Sequence, residues 1–123
     1  MTDGRMSTRA AGDEGELIAM RHLKEAGFTI VAMNYRYGNR GEIDIVARDG
    51  DTLVFCEVKM RTSDRYGDPE YAITPRKQTQ IRKVAEAYLV ENGIVDQECR
   101  FDVVAITHYP GEPVQIRHLR NAF

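Results

Sequence analysis

The feature of the sequence that most constrains the fold is the stretch GEIDIVARDGDTLVFCEVKMR, which runs from Gly41 to Arg61. Two runs of strand-forming residues, 42–48 and 52–61, are separated by DGD, which is typical of a tight turn between antiparallel strands. The stretch therefore predicts a hairpin. Most of its positions are apolar, which indicates a core hairpin, yet charged residues recur at the end farthest from the turn.

Helical spacing of apolar residues predicts one helix before the hairpin and one after it. The first lies within residues 9–26 and ends at Gly27, a residue type that favours the C-terminal end of a helix. The second has Thr74 as its N-cap and Pro75 at its first position, and it ends before Gly93. The core stripe of this second helix consists of Ile81, Val84, Ala85, Tyr88 and Leu89.

Three further strands are expected, at 28–36, 100–109 and 114–119. The order α, β, β, β, α, β, β places a long helix between two strands, which predicts a right-handed crossover and a parallel pair in a mixed sheet. We therefore predict an α/β fold of three layers, with a mixed central sheet flanked by helices. Residues 1–8 are expected to form a flexible N-terminal tail and residues 9–123 a single domain.

Composition and charge exclude several classes of protein. The apolar fraction of 42% and the charged fraction of 29% are those of a globular chain, and the net charge of -2 gives no support to a nucleic-acid partner. Cys56 and Cys99 lack the spacing of a metal site, so reduced thiols are expected. The first residues contain no apolar run that would form a secretory signal or an anchor, so we expect a cytoplasmic protein without a membrane partner.

Alternation along the hairpin strands brings three charged residues to one face. Glu57 and Lys59 share a face of the second strand because they lie two residues apart. On the first strand, Asp44 faces away from a set formed by Ile43, Ile45 and Ala47. A turn centred between positions 50 and 51 puts Asp44 directly opposite Glu57, and a turn centred between 49 and 50 puts the two on a diagonal. Either register unites Asp44, Glu57 and Lys59.

Two carboxylates on neighbouring strands repel each other, and burial of either one without a partner costs several kcal/mol. Lys59 can balance one charge. A hard divalent cation such as Mg²⁺ or Mn²⁺ would balance the rest, and a lysine beside it could orient an attacking water, which suits phosphodiester hydrolysis. The alternative is that this end of the hairpin is exposed and its charges only increase solubility.

Two further sets of residues bear on this site. Glu16 begins the apolar stripe of the first helix, so it is either directed at the sheet as a ligand or acid–base group, or it reaches water. From Lys59 to Lys83 there are seven basic and three acidic residues, an excess that would favour a phosphate backbone. Ordinary solvated charge pairs are the alternative. Lys77 and Gln78 lie one turn before the second helix's core stripe and are expected near the sheet edge.

Several segments together resemble the YraN family of small bacterial proteins: GEL near Glu16, RGEIDIVARD, VFCEVKMR, RYGDP, RKQ and RFDVVAI. The resemblance runs from about Gly12 to the C-terminal NAF. That family is similar to the restriction-endonuclease-like, or PD-(D/E)xK, nucleases and to archaeal Holliday junction resolvases. It implies a restriction-endonuclease-like core of the αβββαβ type. One departure is Ile43, which stands where many of these nucleases have proline before the first acidic residue.

The resemblance also implies roles for individual residues. Asp44 and Glu57 would be metal ligands, the carbonyl of Val58 would join them, Lys59 would be the catalytic lysine, and Glu16 the helix-borne acid. Asp102, on an apolar strand next to Arg100, is interpreted either as a buried structural carboxylate paired with arginine or as a residue of the site.

The expected function is therefore a Mg²⁺- or Mn²⁺-dependent DNA endonuclease that acts on branched or damaged DNA, with a homodimer suited to two cuts. The residues expected to contact DNA phosphates are Arg61, Arg65, Arg76, Lys77 and Gln78. One alternative is a non-catalytic nucleic-acid-binding or partner-recruiting module that retains the nuclease fold. Another is a structural interaction protein without affinity for nucleic acid.

Overall fold

The computed structural model describes residues 8–62 and 73–123, and in these two segments the secondary structure follows the predicted order. The elements are α1 (Thr8–Glu25), β1 (Thr29–Arg36), β2 (Glu42–Asp49), β3 (Thr52–Arg61), α2 (Pro75–Glu91), β4 (Cys99–Thr107) and β5 (Gln115–Leu119). Residues 1–7 of the predicted tail, Arg65 and most of the polar loop around it lie outside the described residues, and Thr8, the last residue of that tail, begins α1.

The five strands form one mixed sheet in which the spatial order is the chain order, β1-β2-β3-β4-β5. The β1–β2, β2–β3 and β4–β5 pairs are antiparallel, and the β3–β4 pair is parallel. A parallel pair needs a crossover connection, and the segment that contains α2 supplies it. The parallel neighbour expected for the strand after α2 is confirmed.

The two helices pack on opposite faces of the sheet, which confirms the predicted three-layer architecture. On the α1 face the buried core consists of Ala19, Leu23, Phe28, Ile45, Ala47, Val54, Cys56, Val104 and Ile106. On the α2 face it consists of Ile43, Val46, Leu53, Phe55, Ile81, Val84, Ala85 and Tyr88. Both faces of β3 are therefore buried, as its nearly continuous apolar sequence predicts.

The ends of the hairpin and of α2 have the predicted local chemistry. Asp49 pairs with Thr52, so the turn is centred between positions 50 and 51, and Gly50 adopts a φ of 61° that this turn requires. The Lys77 amide donates a hydrogen bond of 3.2 Å to Thr74 Oγ1, and Pro75 occupies the first helical position. Of the two registers considered, the one that aligns Asp44 with Glu57 is therefore present.

The side chain of Ile43 does not lie on the predicted face. Alternation predicts that Ile43, Ile45 and Ala47 share one face, but Ile43 packs in the α2 cluster while Ile45 and Ala47 pack in the α1 cluster. The prediction for Ile43 was wrong because the alternation of side chains is interrupted between Ile43 and Ile45. A regular alternation holds only where successive residues keep extended backbone.

The alternation of side chains is interrupted on the neighbouring strand, β1, as well. Met33 packs against the α1 cluster and Tyr35 against the α2 cluster, although they are two residues apart. Between them, Asn34 has a φ of 55°, which is left-handed backbone that asparagine tolerates better than most residues. Because Met33 pairs with Ile45 and Tyr35 with Ile43, the two interruptions lie side by side on β1 and β2.

No helix in residues 8–62 or 73–123 is both long enough and apolar enough to cross a membrane.

Candidate active site

Glu57 is a buried carboxylate near the middle of the sheet. The residue is only 7% exposed, and its neighbours on β3, Cys56 and Val58, are apolar, so a charged residue type is unexpected at this position. The backbone amide of Asp44 donates a hydrogen bond to the carboxylate, but the buried Oε2 atom has no hydrogen-bond partner within the described part of the chain. An unpaired buried carboxylate oxygen is unfavourable, so this atom needs a partner beyond the described residues, and a bound cation is one candidate.

Asp44 lies across from Glu57 and makes the reciprocal contact. Its Oδ2 accepts a hydrogen bond of 2.8 Å from the backbone amide of Val58. The regular β2–β3 pairing runs from Asp49 and Thr52 to Ile45 and Cys56. Beyond that point the two carboxylates, rather than backbone carbonyls, accept these amide hydrogen bonds. This exchange positions both acidic side chains at the end of the hairpin.

Helix α1 brings a third carboxyl group to the same place. The Glu16 side chain forms hydrogen bonds with the side chains of Asp44 and Asn34. The approach of the helix is close, because a Cβ atom on the preceding Gly15 would lie only 3.2 Å from Cβ and Sδ of Met60. Of the two interpretations of Glu16, the structure favours the one in which it is directed at the sheet.

Burial and the negative charge of a neighbouring carboxylate raise the pKa of all three carboxyl groups. Desolvation is the main cause in each case, and the negative charge of Asp44 adds to it for Glu16 and Glu57. These two causes raise the pKa of Glu57 to about 8. Lys77, at the start of α2, has the opposite effect, because its positive charge lowers the pKa of both Asp44 and Glu57.

Lys59 and Arg61 follow Glu57 on β3, and both are half-buried. In the parallel register they pair with Ala105 and Thr107. By alternation they belong to the same face of β3 as Glu57. Asp44 and Glu57 therefore converge in the structure, as predicted, and Lys59 lies two residues beyond Glu57 on the same face of β3.

The other residues expected to contact phosphates have different environments. Gln78 donates a side-chain hydrogen bond of 2.8 Å to the carbonyl of Ile73, so its amide holds the chain that leads into α2. Arg76 is exposed and lines a cleft on the outer side of α2. Glu16, Asp44 and Glu57 together form an acidic cluster. Lys77 lies near this cluster, because its positive charge lowers the pKa of Asp44 and Glu57.

The donor set suits a hard divalent cation that completes its coordination with water and substrate. Among residues 8–62 and 73–123, no three or more histidine, cysteine, aspartate or glutamate side chains are grouped so as to hold a metal on their own. Mg²⁺, however, is commonly held by one or two carboxylates together with waters and phosphate oxygens. The unpartnered Oε2 of Glu57, next to Asp44, fits that mode of binding.

Sequence reasoning missed two residues that shape this site. Gly15 permits the close packing of α1 on β3, and the sequence signal was a glycine within a helical pattern, directly before Glu16. Asn34 bends β1 and contacts Glu16, and the signal was an asparagine inside an apolar strand. Neither signal identifies a partner, because the contacts are between residues far apart in the chain.

Asp102 belongs to a separate polar cluster on the α1 face. Its side chain is fully buried and accepts hydrogen bonds from Arg100 Nε at 2.9 Å, from Arg100 Nη2 at 3.0 Å and from the amide of Asn121 at 3.0 Å. Nε2 of His118 lies 2.8 Å from Oδ2. Of the two interpretations of Asp102, these contacts favour a structural carboxylate paired with arginine.

The sequence profile of the uncharacterised protein family UPF0102 matches residues 15–106. The chain belongs to this family. The resemblance to the YraN family is thereby confirmed. The UPF0102 match begins at Gly15 and includes Glu16, Asp44, Glu57 and Lys59.

Proteins named only as UPF0102 members are similar over almost the whole chain. A relative from Geobacter sulfurreducens is 45% identical over 121 residues, covering 98% of this chain and 94% of the relative. One from Syntrophus aciditrophicus is 47% identical over 112 residues, covering 91% and 87%. One from Frankia alni is 44% identical over 114 residues, covering 93% and 94%.

A solved structure also resembles this UPF0102 protein. It is that of Hjc, a Holliday junction resolvase from Archaeoglobus fulgidus. The match has a TM-score of 0.47 and 20% sequence identity, and it covers 85% of this chain and 72% of the resolvase chain.

Proposed function

We propose that this protein is a Mg²⁺- or Mn²⁺-dependent endonuclease that hydrolyses phosphodiester bonds in DNA. The observation that carries the proposal is the buried pair of Asp44 and Glu57, in which Oε2 of Glu57 has no partner among the described residues. A pair of this kind is unfavourable in a merely structural role. It becomes favourable when a cation and the oxygens of a bound phosphate complete it.

Asp44 and Glu57, with the carbonyl of Val58, would hold the metal. When bound, a divalent metal stabilises the charge that develops on the phosphoryl oxygens and lowers the pKa of a coordinated water. The pairing of Asp44 with the Val58 amide fixes the orientation of one carboxylate before the metal arrives. Such preorganisation reduces the rearrangement that metal binding requires.

The chain's own residues account for the remaining tasks. Lys59 would orient the attacking water and assist its deprotonation, since it follows Glu57 on the same side of β3. Glu16 can hold a proton in its contact with Asp44, because burial and the Asp44 charge raise its pKa. Lys77 would neutralise phosphate charge beside the carboxyl groups. Arg61, Arg76 and, outside the described residues, Arg65 would contact neighbouring phosphates.

A cleavage assay with supercoiled, linear and four-way-junction DNA tests the proposal. We expect cleavage with Mg²⁺ or Mn²⁺ that EDTA abolishes. Glu57→Gln should remove both cleavage and metal binding by calorimetry, whereas Lys59→Met should reduce cleavage by roughly 10²–10⁴-fold and leave metal binding in place. Glu86→Gln, an equal change on the exposed face of α2, is the matched control and should behave as wild type.

The choice among DNA forms addresses the finer part of the proposal. Preferential cutting of the junction would support action on branched DNA, and paired symmetrical cuts would support a homodimer. No cleavage of any DNA form with either metal, together with no calorimetric binding of either metal, would refute the proposed function.

A non-catalytic nucleic-acid-binding module is the second candidate. The hydrogen bond between the Glu16 and Asp44 carboxyl groups favours it, because a retained proton compensates part of the acidic cluster without a metal. This candidate predicts DNA binding that weakens with salt, is unchanged in Lys59→Ala, and yields no cleaved product.

A further inference from the structure

A basic surface lies where the β1–β2 turn meets α2. It is a cleft of about 480 Å³ lined by Arg40, Arg76, Thr79, Gln80 and Lys83. Three of the five lining residues are cations and none is acidic. Because like charges repel when gathered on one surface, a cluster of this composition is best accommodated by binding an anion.

One wall of the cleft is built by a close contact between the β1–β2 turn and α2. The Gln80 side chain donates a hydrogen bond of 2.8 Å to the carbonyl of Arg40. Gly41 has a φ of 140°, and a Cβ atom at this position would lie only 2.8 Å from Nε2 of Gln80. Glycine is thus favoured by the backbone conformation, and a larger residue would also displace the Gln80 side chain from the turn. The turn that carries Arg40 is therefore held in place.

The neutral polar groups of the cleft are already engaged within the protein. The Thr79 hydroxyl donates to the carbonyl of Pro75 at 3.1 Å, and the Gln80 amide donates to Arg40. The groups that remain available to bind an anion are therefore the three cations, Arg40, Arg76 and Lys83. Within residues 8–62 and 73–123, no carboxylate lies within salt-bridge distance of Arg76 or Lys83, and Arg40 contacts the ring of Tyr37 with its guanidinium 5.9 Å from the centroid.

On each side of the cleft, a lining residue is close in the chain to a residue that belongs to the acidic cluster or acts on it. Arg40 is followed by Gly41 and then by Glu42, the first residue of β2, and Asp44 lies two positions further. On the other wall, Arg76 precedes Lys77, whose charge acts on Asp44 and Glu57. A chain of phosphates that crosses the first turns of α2 would meet both regions in succession.

We propose that this cleft binds a backbone phosphate of a DNA strand that also reaches the acidic cluster, an assignment of ligand that rests on the proposed function. Guanidinium groups recognise phosphate oxygens through paired hydrogen bonds, and lysine adds a point charge. None of the five lining residues is hydrophobic or aromatic, the residue types that predominate in pockets for small organic ligands. Its contribution is to position the strand rather than to read its sequence.

The salt dependence of DNA binding tests this inference. Fluorescence anisotropy with a short labelled DNA duplex, in EDTA and over a series of salt concentrations, gives the slope of log K against log salt. For the double variant Arg76→Gln/Lys83→Gln we expect the slope to become shallower by about 0.9 for each phosphate that the protein no longer neutralises, and the affinity to fall roughly 10-fold or more. Arg40→Gln should have the same effect to a smaller degree.

The control removes the same charge from another helix. Arg21→Gln/Lys24→Gln changes two exposed cations on α1, and its slope and affinity should remain near those of wild type. Thermal unfolding of both double variants verifies that the fold is retained. Equal losses in the two double variants, or an unchanged slope in the cleft variant, would overturn the inference. A wild-type protein that binds no DNA would also overturn it. The same holds if the cleft variant loses affinity for an RNA duplex but keeps its affinity for the DNA duplex.

Failure of the cleft and failure of the proposed function give different results. Wild-type protein that binds metal and cleaves DNA, with a cleft variant of unaltered slope, refutes the cleft alone. Wild-type protein that neither binds metal nor cleaves, while the cleft variant shows the shallower slope, refutes the nuclease and retains the cleft. Glu57→Gln should keep the wild-type slope in EDTA, since it leaves all three cations of the cleft in place.

Discussion

Two buried carboxylates on adjacent strands, Glu57 and Asp102, have opposite environments. Asp102 pairs in register with Cys56, so it lies beside the residue that precedes Glu57. Asp102 is surrounded by an arginine, a histidine and a backbone amide, all within 3.0 Å of its oxygens. Glu57 is surrounded by other carboxyl groups and has an oxygen without a partner among the described residues.

The pKa values of the two groups express this difference. Burial raises the pKa of Asp102, but hydrogen bonds from His118, Arg100 and Asn121 outweigh it and lower the pKa to about 2. At Glu57, burial and the Asp44 charge act in the same direction and raise the pKa to about 8. A carboxylate whose partners are supplied by the fold has a structural role, whereas one left without them among the described residues is a candidate for binding a ligand.

The largest effect is expected from the removal of the Asp102 charge. Asp102→Asn should reduce the free energy of unfolding by about 3–5 kcal/mol, because Arg100 is left without its buried counter-charge and His118 loses its carboxylate partner. Urea denaturation followed by circular dichroism measures this. Asp96→Asn, at an exposed left-handed position that asparagine accepts, should change stability by less than about 0.5 kcal/mol. A similar result for both variants would remove the contrast between the clusters.

Removal of the Glu57 charge should have the opposite sign. In EDTA, Glu57→Gln should stabilise the protein by roughly 1–3 kcal/mol at pH 8, because a buried, repelling charge is lost. Millimolar MgCl₂ should then raise the stability of wild type and leave that of the variant unchanged, since ligands stabilise the state that binds them. A destabilised Glu57→Gln in EDTA would place Glu57 with Asp102 among the structural carboxylates.

The two clusters should also respond to pH in opposite directions. Glu57 has a folded-state pKa above its ordinary value near 4.5, so the folded state retains the proton and stability should fall as pH rises from about 4.5 through 8. Asp102 has a depressed pKa, so its contribution is present above its ordinary value near 3.8 and is lost as pH falls towards 2.

Urea denaturation in EDTA across this range measures both responses. The fall in stability above pH 4.5 should be absent from Glu57→Gln, and the fall below pH 4 should be weaker in Asp102→Asn. If wild type and Glu57→Gln lost stability equally between pH 5 and 8, Glu57 would be charged throughout that range and the acidic cluster would be stabilised by other means.

Sequence reasoning was successful where local rules decide the structure. The DGD turn, the alternation on β3 and the Thr74–Pro75 start of α2 each depend on a few neighbouring residues, and each is confirmed. The convergence of Asp44 and Glu57 follows from the hairpin register alone. These features required no knowledge of how the helices pack.

The features that were missed depend on contacts between distant parts of the chain. The partners of Asp102 include His118 and Asn121, which lie 16 and 19 positions away across the β4–β5 connection. Lys77 was expected near the sheet edge, but its effect on Asp44 and Glu57 in particular depends on how α2 crosses the sheet. The Ile43 face was wrong because a left-handed residue on the neighbouring strand, Asn34, accompanies an interruption that regular alternation does not anticipate.

The smallest predicted effect concerns Asn34, whose left-handed backbone helps to shape the acidic cluster, as the left-handed Asn121, with a φ of 52°, does beside Asp102. Asn34→Ala should be less stable than Asn34→Gly by about 1 kcal/mol, because alanine at a φ of 55° has a steric cost that glycine avoids. Both variants lose the hydrogen bond to Glu16, so their difference in urea denaturation isolates the backbone contribution. Equal stability would mean that the strand relaxes around alanine without cost. The arrangement of Asp44 beside Glu57 would then be maintained by the carboxylate–amide hydrogen bonds rather than by the backbone of Asn34.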